Sequence, residues 1–209
     1  MNLHELISNI VVDNELHARW LNTLSFLENT GARKISAGEH KRTVSLMVLK
    51  HAAEEHRHAY YLKRQIAKLG EEFCPTYESA YLVVPNESCS YLDMLDVAIC
   101  RYLKSSMDLA GDELKYAAYL LVTYAIEVRA DELYPVYQRA LDEVGSRVNV
   151  KSIIAEEEGH LDEMVLQLTA FSADWEHHAS KAIEIESGLF ERWLTALATY
   201  QTIPADVAE

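Results

Sequence analysis

Two short stretches hold the residues best able to do chemistry. One is Glu54-Glu55-His56-Arg57-His58 and the other is Glu156-Glu157-Glu158-Gly159-His160. Each contains a Glu with a His three residues later: Glu55/His58 and Glu157/His160. On a helix that spacing puts both side chains on one face, one turn apart. A carboxylate and an imidazole so placed can grip one metal ion, and two such pairs on facing helices can hold two. Each pair also has a Glu upstream in an apolar setting, Glu28 and Glu127. Glu28 precedes Glu55 by 27 residues, and Glu127 precedes Glu157 by 30. The unit Glu…Glu-x-x-His thus occurs twice at nearly the same pitch, and each half reads as an antiparallel helix hairpin with its polar residues near mid-height. One Glu-x-x-His arises readily by chance in a charged helix. Two of them, each preceded by a Glu in an apolar stripe, do not.

The elements that must position these residues follow from periodicity. Leu3, Leu6, Ile7 and Ile10 mark a short helix or arm over residues 1–12, and Asp13 or Asn14 can cap the next helix. That helix runs to about Ala37 and is ended by Gly38. Its stripe is His17, Leu21, Leu24, Glu28, Gly31 and Ile35, in steps of four and three. A second helix is expected from about Glu39 to Leu69, closed by Gly70, with the stripe Val44, Val48, His51, Glu55, His58, Leu62 and Ile66. Residues 71–90 are the least regular, with YLVV before Pro85 read as extended. A further helix is expected over about Tyr91–Ala110. A third main helix starts near Asp112 with the stripe Tyr116, Leu120, Thr123, Glu127, Ala130 and Tyr134, and Pro135 predicts a kink or break near 131–134. A fourth, over about Val148–Phe171, carries Val150, Ile153, Glu157, His160, Met164 and Leu168. A last helix is expected over about Ala173–Ala198, and Pro204 marks a loose tail. In these stripes the polar residues occupy apolar positions. Burying a carboxylate without a partner costs too much, and a metal supplies the partner.

The doubled motif resembles the ferritin-like di-iron or di-manganese carboxylate proteins, in which two helices each supply a Glu and two others each supply Glu-x-x-His. The resemblance spans residues ~13 to 170 and includes Glu28, Glu55, His58, Glu127, Glu157 and His160 as metal ligands. It implies an all-α fold in one domain. The core is a ferritin-like four-helix bundle over about 13–171, with a long crossover at about 71–111 carrying an extra helix, and an additional C-terminal helix over about 173–200. It implies two iron ions, two manganese ions or a mixed pair. Four carboxylates and two imidazoles are hard-to-borderline donors that suit those metals, and four ionised carboxylates cancel the charge of two divalent cations.

Composition narrows the partners. A chain of 209 residues, 49% hydrophobic, can bury a sizeable core, and only 7 Gly and 4 Pro favour long helices over many short strands. The formal net charge of −14 argues against a nucleic acid or an anionic membrane surface as partner and suits a site that attracts cations. No apolar run is long enough to span a bilayer. The first residues, MNLHELISNIVVDNELH, have no basic region and contain acids, so they do not read as a signal peptide. Cys74, Cys89 and Cys100 form no Cys-x-x-Cys, which removes a rubredoxin-type iron centre, and a reducing cytoplasm is the expected location.

Other residues have plainer readings. Glu54, Glu156, Glu158, Asp162 and Glu163 lie off the apolar stripes and are expected on solvated helix faces. His51, one turn before Glu55, either packs or supports the site. Asp131, one turn after Glu127, can accept the free N–H of a ligand His. Among the 12 tyrosines, Tyr124 and others such as Tyr60, Tyr61, Tyr119 and Tyr134 either pack, relay an electron or line a pocket.

Three functions remain. The first is an oxidase or oxygenase that activates dioxygen or peroxide, acts on a small-molecule organic substrate, draws on an external electron donor and works as a monomer or homodimer. The extra helices, which offer pocket walls, favour it. The second is iron handling or peroxide detoxification, like ferritins and rubrerythrins. A multi-subunit shell in solution would mark that reading. The third is a helical interaction protein with a vestigial site, against which six intact ligands argue.

Overall fold

The computed structural model describes residues 2–39, 42–43, 45–70 and 73–202. The described residues form seven α-helices and no strand. The expectations for Val44, for the side chain of Glu158 and for the tail around Pro204 fall outside them.

Helix α1 (Leu3–Val11) is started by a capping box: the Asn2 side chain accepts from the Glu5 N–H while the Glu5 carboxylate accepts from the Asn2 N–H. Its apolar face of Leu6, Ile7 and Ile10 is fully buried. Asp13 caps α2 (Asn14–Gly38) by accepting from the N–H groups of Glu15 and Leu16. Helix α3 (Leu46–Gln65) starts later than the expected Glu39, because the Ser45 hydroxyl accepts from the Val48 N–H and sets the first turn there. A 3-10 turn at Ile66–Lys68 follows, and Gly70 closes it by donating to the Ile66 carbonyl.

The crossover differs from its prediction at two points. Helix α4 (Pro85–Met107) begins six residues before the predicted Tyr91. Pro85 starts the helix instead of ending a loop, since its missing N–H would be unpaired in the first turn anyway. YLVV is not one extended piece: Tyr81 closes a 3-10 turn, Leu82 is extended, and Val84 is left-handed at φ 36°. Helix α5 (Gly111–Glu143) runs through Pro135, so of the kink or break expected near 131–134 the break is absent. Gly145, at φ +62°, ends this segment, and the Ser146 N–H returns to the Leu141 carbonyl. Helices α6 (Lys151–Phe171) and α7 (Trp175–Thr202) complete the chain.

Helices α2 and α3 form an antiparallel hairpin, fixed by Ser25 Oγ on the Ala59 carbonyl and Lys63 Nζ on Asn22. Helices α5 and α6 form a second, in which Gln138 accepts from the Val150 N–H at the turn end. The hairpins face one another through α3 and α6, whose side chains meet in antiparallel order: His51 with Glu163, Glu54 with His160, Arg57 and His58 with Glu156; Tyr61 continues the series to Asn149, just before α6. Helices α2 and α5 meet where His17 contacts Tyr137 and Tyr134 donates to Glu28. Helices α4 and α7 pack on each other and on α5, and α1 packs chiefly on α5. Trp20, Leu21, Leu62, Leu120 and Tyr137 lie in the buried core.

Candidate metal centre

The four helices α2, α3, α5 and α6 each turn one carboxylate inward: Glu28, Glu55, Glu127 and Glu157. Helices α3 and α6 add His58 and His160 one turn on. Glu127, Glu157, His58 and His160 are 2–3% exposed and Glu55 8%, so water does not satisfy them; Glu28 is half-buried. The donor atoms fall into two overlapping groups. Atoms of Glu55, Glu127, Glu157 and His160 all lie within 4.8 Å of one another, and so do atoms of Glu28, Glu55 and His58. Glu55 belongs to both. Glu157 lies between the imidazoles, with Oε1 3.0 Å from His58 Nδ1 and Oε2 3.1 Å from His160 Nδ1.

Both histidines present Nδ1 to the carboxylates and Nε2 outward. The outward nitrogens are held across the helix interface: His58 Nε2 lies 2.8 Å from Glu156 Oε2, and His160 Nε2 lies 2.8 Å from Glu54 Oε2. Each Glu-Glu-x-x-His stretch thus supplies the carboxylate that fixes the other stretch's histidine. A carboxylate at Nε2 keeps a proton there, so Nδ1 is the nitrogen that can give up its proton to a cation. Arg57 bridges this layer, 2.6 Å from Glu156 and 3.7 Å from Glu54.

This arrangement corrects several expectations. Glu54 and Glu156 are not merely solvated; they hold the imidazoles, the role assigned by sequence to Asp131. Asp131 is exposed. Glu163 also bonds inward, to His51 Nε2 at 3.1 Å. His51 is buried, bonds the Tyr119 hydroxyl through Nδ1 at 2.9 Å, and lies beside His160 with ring centroids 5.3 Å apart. It supports the site without joining either donor group. Tyr124 packs edge-on against Trp175 at 6.3 Å, away from the cluster. The tyrosine that reaches the cluster is the buried Tyr134, whose hydroxyl donates to Glu28. Asp162 is exposed as expected.

Without a cation the cluster settles its charge with protons. Burial, with the neighbouring Glu28, lifts Glu55 well above the usual carboxylate range, and burial with Glu157 does the same to Glu127. Burial acts against the ionised Glu157 too, but hydrogen bonding with Glu127 and His160 and the charge of the adjoining His58 outweigh it and hold that carboxyl well below its usual range. Burial alone would lower both histidines; the adjoining carboxylates outweigh it, raising His58 to about 9 and His160 to about 11. His58 Nδ1 remains without a hydrogen-bond partner despite its 3.0 Å approach to Glu157, because the approach is out of line. An inward, unpartnered imidazole nitrogen beside carboxylates short of positive charge fits a divalent cation. The described residues can therefore hold metal.

A cavity of about 460 Å³ adjoins the carboxylates on the side away from the histidines. It lies between α2, α4, α5 and α7, and Glu28, Glu55 and Glu127 form part of its wall. Most of the rest is apolar. Tyr119 and Thr123 also line it. Among the described residues, no helix is long and apolar enough to cross a membrane. Comparison of the chain with models of protein families, with curated proteins and with solved structures gives no match.

Proposed function

We propose that this chain is a ferritin-like di-iron or di-manganese carboxylate protein, and that it is an oxidase or oxygenase acting on a small organic substrate. The observation that carries the reading is the convergence of two overlapping carboxylate–imidazole groups, one from each hairpin, beside an apolar cavity. Glu28, Glu55 and His58 would hold one ion, and Glu127, Glu157 and His160 the other, with Glu55 and Glu157 placed to serve both. A bound pair would supply the electrons that reduce dioxygen or peroxide, replenished by an external donor. The chain supplies the rest. Glu54 and Glu156 hold the protons on the outer imidazole nitrogens. Tyr134 holds its proton toward Glu28. The largely apolar walls beside the carboxylates would favour an apolar substrate over bulk water at that face of the cluster. That same face favours an organic substrate over iron storage, since Leu24, Leu27, Val122 and Ile126 offer a hydrated ion nothing to bind.

Loading with iron(II) under nitrogen, followed by elemental analysis, tests the centre. About two metals per chain are expected, and Glu55→Ala should lose at least one. Reconstituted protein with neither iron nor manganese bound would overturn the proposal. Admitting dioxygen then separates the readings: uptake should stall after about one dioxygen per two iron ions, from a monomer or dimer. Continued mineralisation by a large shell would assign the chain to iron storage.

A further inference from the structure

Further along α2 and α5 from the carboxylates, the two helices bury a second group of reactive side chains that the metal centre does not use. Tyr137 follows Glu127 on α5 at about 15 Å along the helix. Its hydroxyl is 2.6 Å from His17 Nε2 on α2, and both residues are fully buried. The direction of that bond follows from counting. If Nε2 donated, the Tyr137 proton and the Nδ1 lone pair would both be unmet; if Tyr137 donates, only the Nδ1 N–H is. The hydroxyl therefore donates. Burial pushes the Tyr137 hydroxyl up and lowers His17 to about 4, so the pair rests as neutral phenol and neutral imidazole.

An aromatic series leads to this pair. Phe190 and Trp193 line the cavity beside the carboxylates and stack at 5.7 Å. Trp193 lies 5.5 Å from Trp20, and Trp20 lies 5.9 Å from Tyr137. A ring that loses an electron becomes strongly acidic, and an uncompensated buried charge is costly. The Trp20 N–H has no acceptor, and the Trp193 N–H meets only the Ser88 hydroxyl. In this series Tyr137 is the ring with a base at its proton.

We infer that Tyr137 and His17 form a redox-active pair that stores one oxidising equivalent away from the metal centre. A one-electron oxidant takes an electron from the Tyr137 ring; the Tyr137 O–H bond breaks, and its proton forms an N–H bond at His17 Nε2. The products are a neutral tyrosyl radical, an imidazolium and the reduced oxidant. Returning the electron sends the proton back. The inference rests on the oxygenase reading only for its natural oxidant, the metal pair once dioxygen has reacted and no substrate takes up the oxidising equivalents.

Metal-free protein supplies the test. Flash oxidation by photogenerated tris(bipyridine)ruthenium(III), with a cobalt(III) ammine as terminal acceptor, should leave a long-lived tyrosyl radical in electron paramagnetic resonance, because a buried radical cannot couple with another. One exchangeable deuteron and a histidine nitrogen should couple to it, and it should form more slowly in deuterium oxide. Tyr137→Phe should lose the long-lived signal. So should His17→Gln, which can keep the hydrogen bond but takes no proton. Tyr102→Phe and Tyr119→Phe, which remove hydroxyls that also bond histidines, should keep it. If Tyr137→Phe does not fold, the Tyr102→Phe/Tyr119→Phe double variant with isotope-labelled histidine decides: no long-lived radical, or one without nitrogen coupling, overturns the inference. A folded Tyr137→Phe or His17→Gln with the wild-type signal does the same. Two metals bound and no such radical removes the pair alone. The radical formed in protein that takes up no metal removes the oxygenase reading and keeps the pair.

Discussion

The protein buries carboxylates in two places and treats them differently. Glu186 on α7 is 1% exposed, yet Arg129 clasps it with Nε at 2.9 Å and Nη2 at 2.7 Å, and the Tyr91 hydroxyl donates to it as well. The guanidinium in turn lies over Phe190 at 4.0 Å. This group ties α4, α5 and α7 together and is complete within the chain. Glu55, Glu127 and Glu157 are buried too, but among the described residues no Lys or Arg pairs with them. Their positive partners are two imidazoles and the protons they share. A structural carboxylate brings its own cation. A cluster whose positive partners are imidazoles and shared protons can exchange those protons for a cation from solution.

The sharpest way to break this contrast is Glu157→Ala, which removes the carboxylate both imidazoles share. At least one ion should be lost, and with it most of the rise in melting temperature on metal addition, which for an ion at a thousand times its Kd amounts to about 4 kcal/mol. Equal thermal shifts in variant and wild type would erase the distinction. The counterpart change, Arg129→Met, should leave metal content untouched and destabilise the fold by about 3 kcal/mol, the low end for a broken buried pair because the Arg129 side chain remains 15% exposed. Denaturant titration beside elemental analysis reads both, and metal loss in this variant would mean the two regions are not separate.

Glu54→Gln and Glu156→Gln probe the crossed pairing. Each should weaken metal binding about 10- to 100-fold with the ligands intact, as measured by competition with a chelator. Asp131→Asn should change it by less than about twofold on the same principle, since Asp131 is exposed.

The metal-free protein should lose stability as pH rises. Glu55, Glu127, His58 and His160 all hold protons more tightly folded than unfolded. Above the ordinary imidazole range the folded chain therefore carries more protons than the unfolded one, and the excess ends only as His58 titrates near 9 and His160 near 11; below that range His17, His51 and His178, lowered chiefly by burial, act in the opposite direction. The slope should approach about 1.4 kcal/mol per pH unit for each excess proton. Glu157 has the opposite sign but acts only below its ordinary range. Bound metal displaces these protons, so the loaded protein should show a flatter profile. Parallel profiles would count against a shared set of groups.

Most of the centre is legible in the sequence because an interrupted stripe is a strong signal. Glu55, Glu127, Glu157 and the two histidines occupy apolar positions on faces that are buried on both sides of them. Glu54 and Glu156 escaped the same logic. They sit one residue off their stripes, and an amphipathic pattern assigns that direction to solvent. In fact α3 and α6 face each other there, so the off-stripe direction leads to a neighbouring helix. The doubled Glu in both stretches was the available sign. The α4 start was missed because proline breaks a helix interior but suits a first turn, and only the surrounding chain tells which applies. The uninterrupted α5 taught the same lesson in reverse at Pro135.

The crossed pairing has a kinetic side. Each hairpin holds the other's histidine, as surfaces do in a two-fold dimer where every contact is returned. Fraying of either hairpin alone leaves half of every bond in place. An ion held between them would lose ligands from both sides when the hairpins part, so its residence time should shorten with opening of the α3–α6 seam more than with the fast motions of any loop.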